Sequence, residues 1–423
     1  MARVRRRGLV RCAGSPLRAR TAGILLEHFA NEDRLIAMPD TDTPGLLVIT
    51  ELFLPTKGGT AVWFDAVYRL LGGRHIHIVT ADVPGAADID REHPNSIHRV
   101  SLRRHRWLKP ESLAMYLKLL LTGLRVVHRH GVRAVHAGRV LPEGLVGWLI
   151  ARLAGKPLVV YAHGEEITSW HNPGKSKAMR FVYRRADRIV ANSDFTRNEL
   201  LKLGVRPERI TLISPGVDIE RFRPNLPASH LRASIGMRTG QKLILSVGRL
   251  SRRKGFDRIV QAMPGLIENG IDAHYALIGI GKDHDYLTEQ ARDLGVADRV
   301  HLLGHVLLED LPLWYNACDL FAMPNRAING DTEGFGMVFL EAAACGKPSV
   351  AGDAGGTGAA VEDGVTGYRV SGEDPGQVAG ALKALLGDEA LRMRLGQAGH
   401  RRATQEFSWE AVAAKTRALL QAD

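Results

Sequence analysis

The 423-residue sequence has few cysteines, few aromatic residues and no long hydrophobic run. Its three cysteines, Cys12, Cys318 and Cys345, are too few and too scattered for a disulfide framework or a zinc-binding pair, so a reducing, cytoplasmic setting is expected. No stretch reaches the roughly 18 uninterrupted apolar residues that a membrane-spanning helix needs. Aromatic residues make up only 6%, whereas glycine occurs 45 times, which favours an α/β protein with many tight turns.

Acidic residues are outnumbered by basic ones, 45 against 57, which gives a net charge of +12. Seven arginines fall within residues 1–20, where there is no acidic residue, and subtracting them leaves +5 for the rest of the chain. We interpret residues 1–43 as a basic, disordered leader, with a nucleic-acid-binding, lipid-binding or transit segment as the alternative. No nucleic-acid motif accompanies it, so no nucleic-acid partner is predicted.

Apolar strand patterns alternate with helical patterns in two successive series. The first runs from Leu46–Phe53 to Ile210–Ile213, and the second from Leu243–Val247 to Pro348–Ala351. This rhythm predicts two Rossmann-like α/β domains that face each other across a ligand-binding cleft. The predicted boundaries are residues 44–224, residues 225–404, and a last helical segment, residues 405–423, which could return to the first domain.

The densest motif is D-T-E-G-F-G-M-V-F-L-E, which ends at Glu341. Two glycines open a helix there, and the unpaired N–H groups and positive dipole end of a helix start suit a phosphate. Glu341 lies roughly 7–8 Å along the helix axis from Gly336, which suits a ribose beyond a diphosphate, while Glu333 stays with the sugar. An ordinary surface helix with two glutamates is the alternative.

A basic loop, R-L-S-R-R-K-G, follows a predicted strand. Arg249 and Lys254 are expected to bind a diphosphate. Arg249 would form bidentate hydrogen bonds, and Lys254 would act as a point charge. Arg252 and Arg253 are expected to be solvated, and a wholly solvated loop is the alternative.

Three further strand ends carry candidate residues. Gly58 and Gly59 allow the backbone to approach a ligand closely, although a plain turn also explains them. His163, in the run H-G-E-E, is a candidate for binding a sugar hydroxyl or transferring a proton. Gly281 belongs to a G-I-G string that lacks the third glycine of a dinucleotide fingerprint, so it is expected to line a base pocket.

Several strings in the sequence have the spacing of metal ligands. The D-x-D strings fall in the leader, in a turn and at a helix start, and the His-x-His pair lacks a third ligand, so no metal and no cofactor are predicted. These strings are Asp40–Asp42, Asp88–Asp90, Asp283–Asp285 and His75–His77.

Taken together and in this order, the motifs resemble the retaining glycosyltransferases of family 4, which have the GT-B fold, over about residues 46–420. Pro348–Gly352 and Gly364–Tyr368 fit the same pattern. Met323–Arg326 is most similar to the subgroup that includes phosphatidylinositol mannosyltransferases.

The resemblance implies a metal-independent transferase that moves a hexosyl unit from GDP-mannose or a UDP-sugar to a hydroxyl acceptor, with retention. It implies an acceptor domain followed by a donor domain. A sugar-nucleotide epimerase and a non-catalytic sugar-nucleotide-binding protein are the alternatives. By the same resemblance, Glu333 and the backbone of Phe335 and Gly336 would bind the sugar, and His163 would lie near it. Arg249 and Lys254 would bind the diphosphate, and Glu341 the ribose. Gly58 and Gly59 would lie near the donor phosphate or the acceptor.

The stretch Ile97–Arg133 carries nine basic residues against one acidic residue, and its part Leu113–Leu121 is rich in leucine. One interpretation is a helix that rests on an anionic bilayer at the inner face of the membrane, near a lipid-linked acceptor. The other is a core-facing helix with a solvated basic rim.

Overall fold

The computed structural model describes residues 45–56, 58–102 and 113–421. Parallel strands form two separate sheets within them. The first sheet has the order β3-β2-β1-β4-β5-β6-β7. Its strands are β1 Gly45–Ile49, β2 Ile76–Ala81, β3 Ser96–Val100, β4 Val132–Ala137, β5 Leu158–Ala162, β6 Arg188–Ala191 and β7 Ile210–Leu212.

The second sheet repeats most of this arrangement, in the order β10-β9-β8-β11-β12-β13. In both sheets the strand order reverses beside the first strand, and such a switch point leaves a crevice at the carboxyl ends of the strands. Its strands are β8 Lys242–Val247, β9 Ala273–Ile278, β10 Val300–Gly304, β11 Leu320–Met323, β12 Ser349–Gly352 and β13 Gly367–Val370.

Helices cover both sheets, which is why the central strands are continuous apolar runs. Those around the first sheet are α1 Gly59–Leu71, α2 Ala86–Glu92, α3 Leu113–Arg129, α4 Leu145–Ala154, α5 Glu165–Ser169, α6 Pro173–Arg185 and α7 Asp194–Lys202. The later ones are α8 Ser229–Ser234, α9 Phe256–Glu268, α10 His284–Asp293, α11 Leu311–Ala317, α12 Met337–Ala344, α13 Pro375–Gly387, α14 Glu389–Glu406 and α15 Trp409–Gln421.

The last helix, α15, lies on the first domain. Trp409, Val412 and Leu419 belong to the same hydrophobic cluster as Trp63 of α1. The Arg417 guanidinium donates to the carbonyl of Leu70 at 3.1 Å. The chain therefore crosses from the second domain back to the first before it ends.

The prediction of two Rossmann-like domains is confirmed by this topology. The pattern did not predict the edge strands β3 and β13, of which β3 is partly exposed along most of its length, nor the helices α2, α5, α6, α8, α13 and α14. The predicted leader, residues 1–43, lies outside the described ranges. Among the described residues, no helix is both long and apolar enough to cross a membrane.

Candidate active site

The two domains meet where the loop before α12 touches strand ends of the first sheet. The Ser193 hydroxyl donates to the Gly334 carbonyl at 3.0 Å. A Cβ at Gly334 would lie 2.1 Å from the carbonyl oxygen of His163, so only glycine allows this approach. The predicted acidic loop and the predicted histidine, 171 positions apart in the sequence, therefore lie against each other.

Glu333 lies at the centre of a cluster of charged side chains. Its Oε2 accepts hydrogen bonds from Lys254 Nζ at 2.5 Å and from Arg253 Nη1 at 2.9 Å. Burial alone would raise the pKa of this carboxyl, but the two cations outweigh burial and lower its pKa to about 2. Glu333 is therefore ionised at neutral pH and presents an acceptor-only carboxylate.

The expectation that Arg253 is solvated is wrong. Its side chain is 18% exposed and bridges Glu333 and Asp331, with an Nε–Oδ2 distance of 3.2 Å to the latter. The short 3₁₀ turn Arg252–Lys254 directs both of its last two side chains towards the acidic loop. Arg252, in contrast, is half-exposed and lies over the Tyr286 ring.

Arg249 is exposed, and within the described ranges its guanidinium has neither a hydrogen bond nor an ion pair. It follows Gly248, where β8 has just ended. The structure therefore does not join Arg249 to the Glu333 cluster, but it leaves this cation available to an anion.

The starts of two helices approach each other at the cleft. Gly336 precedes α12 with φ +89°, and a Cβ there would lie 2.7 Å from the Phe339 ring. A Cβ at Gly59, the first residue of α1, would lie 2.8 Å from the Met337 sulfur. Gly58 has φ +145° and open space around it. Two sets of helix-start N–H groups therefore border the same region.

Phe335 and Glu341 belong to the same segment, but Phe335 offers a ligand its backbone and Glu341 its side chain. The Phe335 side chain is buried next to Phe407, so its backbone is what remains for a ligand. Glu341 accepts a hydrogen bond from the Tyr315 hydroxyl at 2.7 Å, and burial raises its pKa. It lines a cavity of about 540 Å³ together with Leu308, and this cavity extends to α1.

His163 is held firmly at the end of β5. Its Nε2 lies 2.8 Å from the Gly138 carbonyl, which can only accept, so Nε2 carries a proton and donates. Its backbone N–H donates to Glu166 at 3.0 Å, and the Trp63 ring meets its ring edge to face. This arrangement fixes the orientation of the imidazole.

Gly281 has a packing explanation. A Cβ there would lie 2.3 Å from the Leu250 carbonyl oxygen, so glycine lets the loop after β9 lie against the basic loop after β8. The residue is exposed to solvent. Its backbone therefore lies next to Leu250, the residue that follows Arg249.

The residues that support the basic turn from beneath are not predicted from the sequence. Arg326 forms a buried, bidentate ion pair with Asp257, at 2.9 and 3.1 Å, and its backbone N–H donates to the Arg253 carbonyl. The only signal was the M-P-N-R string, since pairing across 69 residues leaves no local pattern.

The metal-binding candidates have other partners. Asp90 pairs with Arg99 at 2.7 Å, and Asp283 lies 3.5 Å from Arg252. His77 bonds to His98 at 3.1 Å, and burial, together with neighbouring histidines, lowers its pKa to about 4. No group of three or more His, Cys, Asp or Glu side chains in the described part of the chain is placed to hold a metal ion. Asp40 and Asp42 lie outside that part.

Comparison with protein families gives two matches, one before residue 222 and one after residue 228. Residues 57–221 match the family described as Glycosyltransferase Family 4, and residues 229–402 match the family described as Glycosyl transferases group 1. The first matched range contains β2–β7, and the second contains all the strands of the second sheet.

Characterised relatives match along almost their whole length. The GDP-mannose-dependent alpha-(1-6)-phosphatidylinositol monomannoside mannosyltransferase of Mycolicibacterium smegmatis is 31% identical over 380 residues, which is 89% of this chain and 98% of the relative. The D-inositol 3-phosphate glycosyltransferase of Thermobispora bispora is 31% identical over 388 residues, or 85% and 88% of the two chains.

Solved structures share the fold. HepE of Anabaena, crystallised with UDP, has a TM-score of 0.76 at 22% identity, with 89% of this chain and all of that chain covered. Sucrose-phosphate synthase of Thermosynechococcus elongatus has a TM-score of 0.74 at 22% identity, with 90% and 98% covered.

Proposed function

The chain belongs to the glycosyltransferases of family 4 and group 1, and from this premise we propose that it transfers a mannosyl unit from GDP-mannose to a hydroxyl of a lipid-linked phosphoinositol acceptor. The membership confirms the prediction of an enzyme that uses a nucleotide diphosphate sugar, rather than an epimerase or a non-catalytic binding protein. The choice of GDP-mannose and of the acceptor is supported by the mannosyltransferase relatives that match over 98% of their length.

The observation that carries the proposal is the position of Glu333 between Lys254 and Arg253, in front of the helix start at Gly336. An ionised carboxylate accepts hydrogen bonds from sugar hydroxyls. Lys254 has three N–H donors, so it can keep Glu333 and also donate to a diphosphate oxygen. This arrangement supports the proposal that a sugar and a diphosphate bind side by side.

The transfer breaks the bond between the anomeric carbon and the diphosphate oxygen, and forms a bond from that carbon to the acceptor oxygen. Negative charge grows on the leaving diphosphate, and Arg249, Lys254 and the first N–H groups of α12 stabilise it. With retention, the acceptor approaches the face that the diphosphate leaves, so a diphosphate oxygen receives the hydroxyl proton. Glu341 binds the ribose, and the fixed His163 orients the sugar. No step in this scheme needs a metal ion.

Thermal unfolding with nucleotide diphosphates tests the donor. GDP should raise the melting temperature more than UDP or ADP at equal concentration, because a ligand that binds only the folded state stabilises it. Transfer of label from GDP-[14C]mannose to a phosphatidylinositol-containing lipid extract tests the reaction. Stabilisation by UDP alone, or labelling only from a UDP-sugar, would show that the donor assignment is wrong.

A leucine stripe on α3 supports contact with a membrane. Leu113, Leu117 and Leu121 lie one helical turn apart and are 49%, 52% and 51% exposed, while Met115 and Leu119 on the other side pack into the core. Exposed cations accompany the stripe, among them Lys118, Arg125 and Arg129. Apolar side chains beside basic ones complement an anionic bilayer. We place the enzyme at the inner face of the cytoplasmic membrane.

Vesicle sedimentation tests this contact. Leu117→Glu should weaken binding to phosphatidylinositol-containing vesicles at least tenfold, and Leu153→Glu, at a 63% exposed leucine on α4, should not. Equal binding of both variants, or equal binding to phosphatidylcholine vesicles, would contradict the proposal.

A further inference from the structure

Two short segments, one from each domain, lie against each other at the cleft. Residues 163–171 run from the end of β5 through α5, and residues 328–336 precede α12. The segments meet where Gly334 approaches the His163 carbonyl, and they meet again at Gly330. A Cβ at Gly330 would lie 2.3 Å from the carbonyl oxygen of Thr168, so only glycine allows this second approach. The loop before α12 is therefore supported by the first domain at two points.

The second point of support is a tight hairpin turn with Asn329 and Gly330 at its centre. Ile328 and Asp331 exchange two backbone hydrogen bonds, each 2.9 Å long. Asn329 has φ +51° and Gly330 has φ +80°. A two-residue turn with positive φ at both central positions favours the sequence Asn-Gly. The shape of the turn is therefore fixed by its own two residues.

A side chain of the first domain holds the tip of this turn. His171 Nε2 lies 3.0 Å from the Asn329 carbonyl, and because a carbonyl only accepts, Nε2 carries a proton and donates. The bond joins residues that are 158 positions apart. His171 follows α5, the helix that begins two residues after His163. One short stretch of the first domain therefore supplies both points of support.

Two carboxylates lie between the points of support. Asp331 ends the turn and pairs with Arg253 Nε at 3.2 Å. The same guanidinium donates to Glu333 at 2.9 Å. A displacement of the turn would move Asp331 first, and through Arg253 it would reach Glu333. The position of the proposed sugar contact therefore depends on the first domain as well as on the second.

We infer that His171 and the Asn329–Gly330 turn form a positioning contact for the transfer, which keeps Glu333 aligned with the first domain. The inference rests on the proposed function, because that function assigns the sugar to Glu333. His171 and the turn do not touch sugar or diphosphate in this scheme. They act through Asp331 and Arg253.

Gly330→Ala tests the contact, with Gly270→Ala as the matched control. The two glycines have nearly the same left-handed φ, +80° and +78°, so both substitutions strain the backbone, but Gly270 has no neighbour within 4 Å. Gly330→Ala should lower kcat with GDP-mannose about 100-fold, because a displacement of about 1 Å near the reacting groups costs about that much. The KM for GDP-mannose should change less than kcat, because the diphosphate and ribose contacts stay intact.

The control should keep kcat within threefold of the wild type. GDP should raise the melting temperature of both variants as it does that of the wild type, which shows that each variant folds and keeps its donor site.

Two substitutions of His171 separate the hydrogen bond from the bulk of the side chain. His171→Leu removes the donor and should lower kcat about 2- to 10-fold, the effect expected of one hydrogen bond. His171→Gln keeps an N–H donor at a similar reach and should restore most of the rate.

Hydrogen exchange supplies a measurement that does not depend on activity. The amides of residues 328–336 should exchange at least tenfold faster in Gly330→Ala than in Gly270→Ala, because the loop has lost one of its two points of support. His171→Leu should change their exchange in the same direction by a smaller factor.

Four results would overturn the inference. They are transfer by Gly330→Ala at the rate of Gly270→Ala, a His171→Gln variant as slow as His171→Leu, unchanged exchange over residues 328–336, and loss of the GDP effect on the melting temperature of Gly330→Ala. The last would mean that the substitution disrupts the whole donor site. A wild type that transfers no mannose, with the exchange difference intact, would contradict the proposed donor and support the contact.

Discussion

Lys254 Nζ lies 2.5 Å from Glu333 Oε2, although 79 residues separate the two in the sequence. The contact joins the basic turn after β8 to the acidic loop before α12, and these two segments carry the proposed diphosphate and sugar contacts. Lys254 therefore helps to hold Glu333 in place and to keep its carboxylate ionised.

Lys254→Ala should lower kcat by roughly 100- to 1,000-fold, because the leaving diphosphate loses a donor that is already in place. Arg253 still pairs with Glu333, so the fold should persist. Steady-state kinetics with GDP-mannose measure the effect. Lys383→Ala, at an exposed lysine that bonds to Asn269, serves as the control and should behave like the wild type. Turnover by Lys254→Ala within threefold of wild type would contradict the assignment.

The stability of the wild type relative to Glu333→Gln should depend on pH. The pKa of Glu333 falls from an ordinary value of 4.5 to about 2 in the folded protein, so the ionised carboxylate stabilises the fold. That contribution is complete above about pH 4.5 and is lost as the pH falls towards 2. Urea unfolding of both proteins at pH 6, 4 and 3 should show the difference shrinking. A difference that stays constant would mean that the pKa is not lowered.

Gly334→Ala should separate the domains without removing the donor site. The added Cβ would lie 2.1 Å from the His163 carbonyl, and a displacement of about 1 Å near the reacting groups can cost about 100-fold in rate. Transfer should fall by that order, while GDP still raises the melting temperature. Gly380→Ala, in α13 with no neighbour within 4 Å, is the control and should leave transfer unchanged. Normal transfer by Gly334→Ala would show that this contact is not needed.

Arg326→Met should destabilise the protein by about 3–5 kcal/mol, because it leaves Asp257 buried without its partner. Urea unfolding measures the change in the free energy of unfolding. The double variant Asp257→Leu/Arg326→Met should recover most of it, since no uncompensated charge remains. The exposed Arg401→Met should change stability by no more than about 0.5 kcal/mol. A double variant less stable than Arg326→Met would contradict this explanation.

The sequence predicts the fold well because the central strands are uninterrupted apolar runs between glycine-rich turns. It fails for β3, an edge strand whose five residues, S-I-H-R-V, form neither an apolar run nor a regular alternation. It also fails for α14, whose pattern is mostly polar, because that helix is defined by the domain it packs on and not by its own sequence.

The site is predicted only where a motif is local. Glu333, Gly336 and Glu341 form one string, so their proximity follows from spacing. Arg253 looks like any member of a basic run, and only the tertiary structure shows that it is enclosed by Asp331 and Glu333.

The return of α15 to the first domain has a consequence for synthesis. While the chain is emerging from the ribosome, the outer surface of α1 stays uncovered until α15 has been made, because Trp409, Val412 and Leu419 complete the apolar cluster around Trp63. The first sheet is therefore translated early but finished late. A nascent or truncated chain that stops before Trp409 exposes this apolar surface, and such a surface binds chaperones and favours self-association.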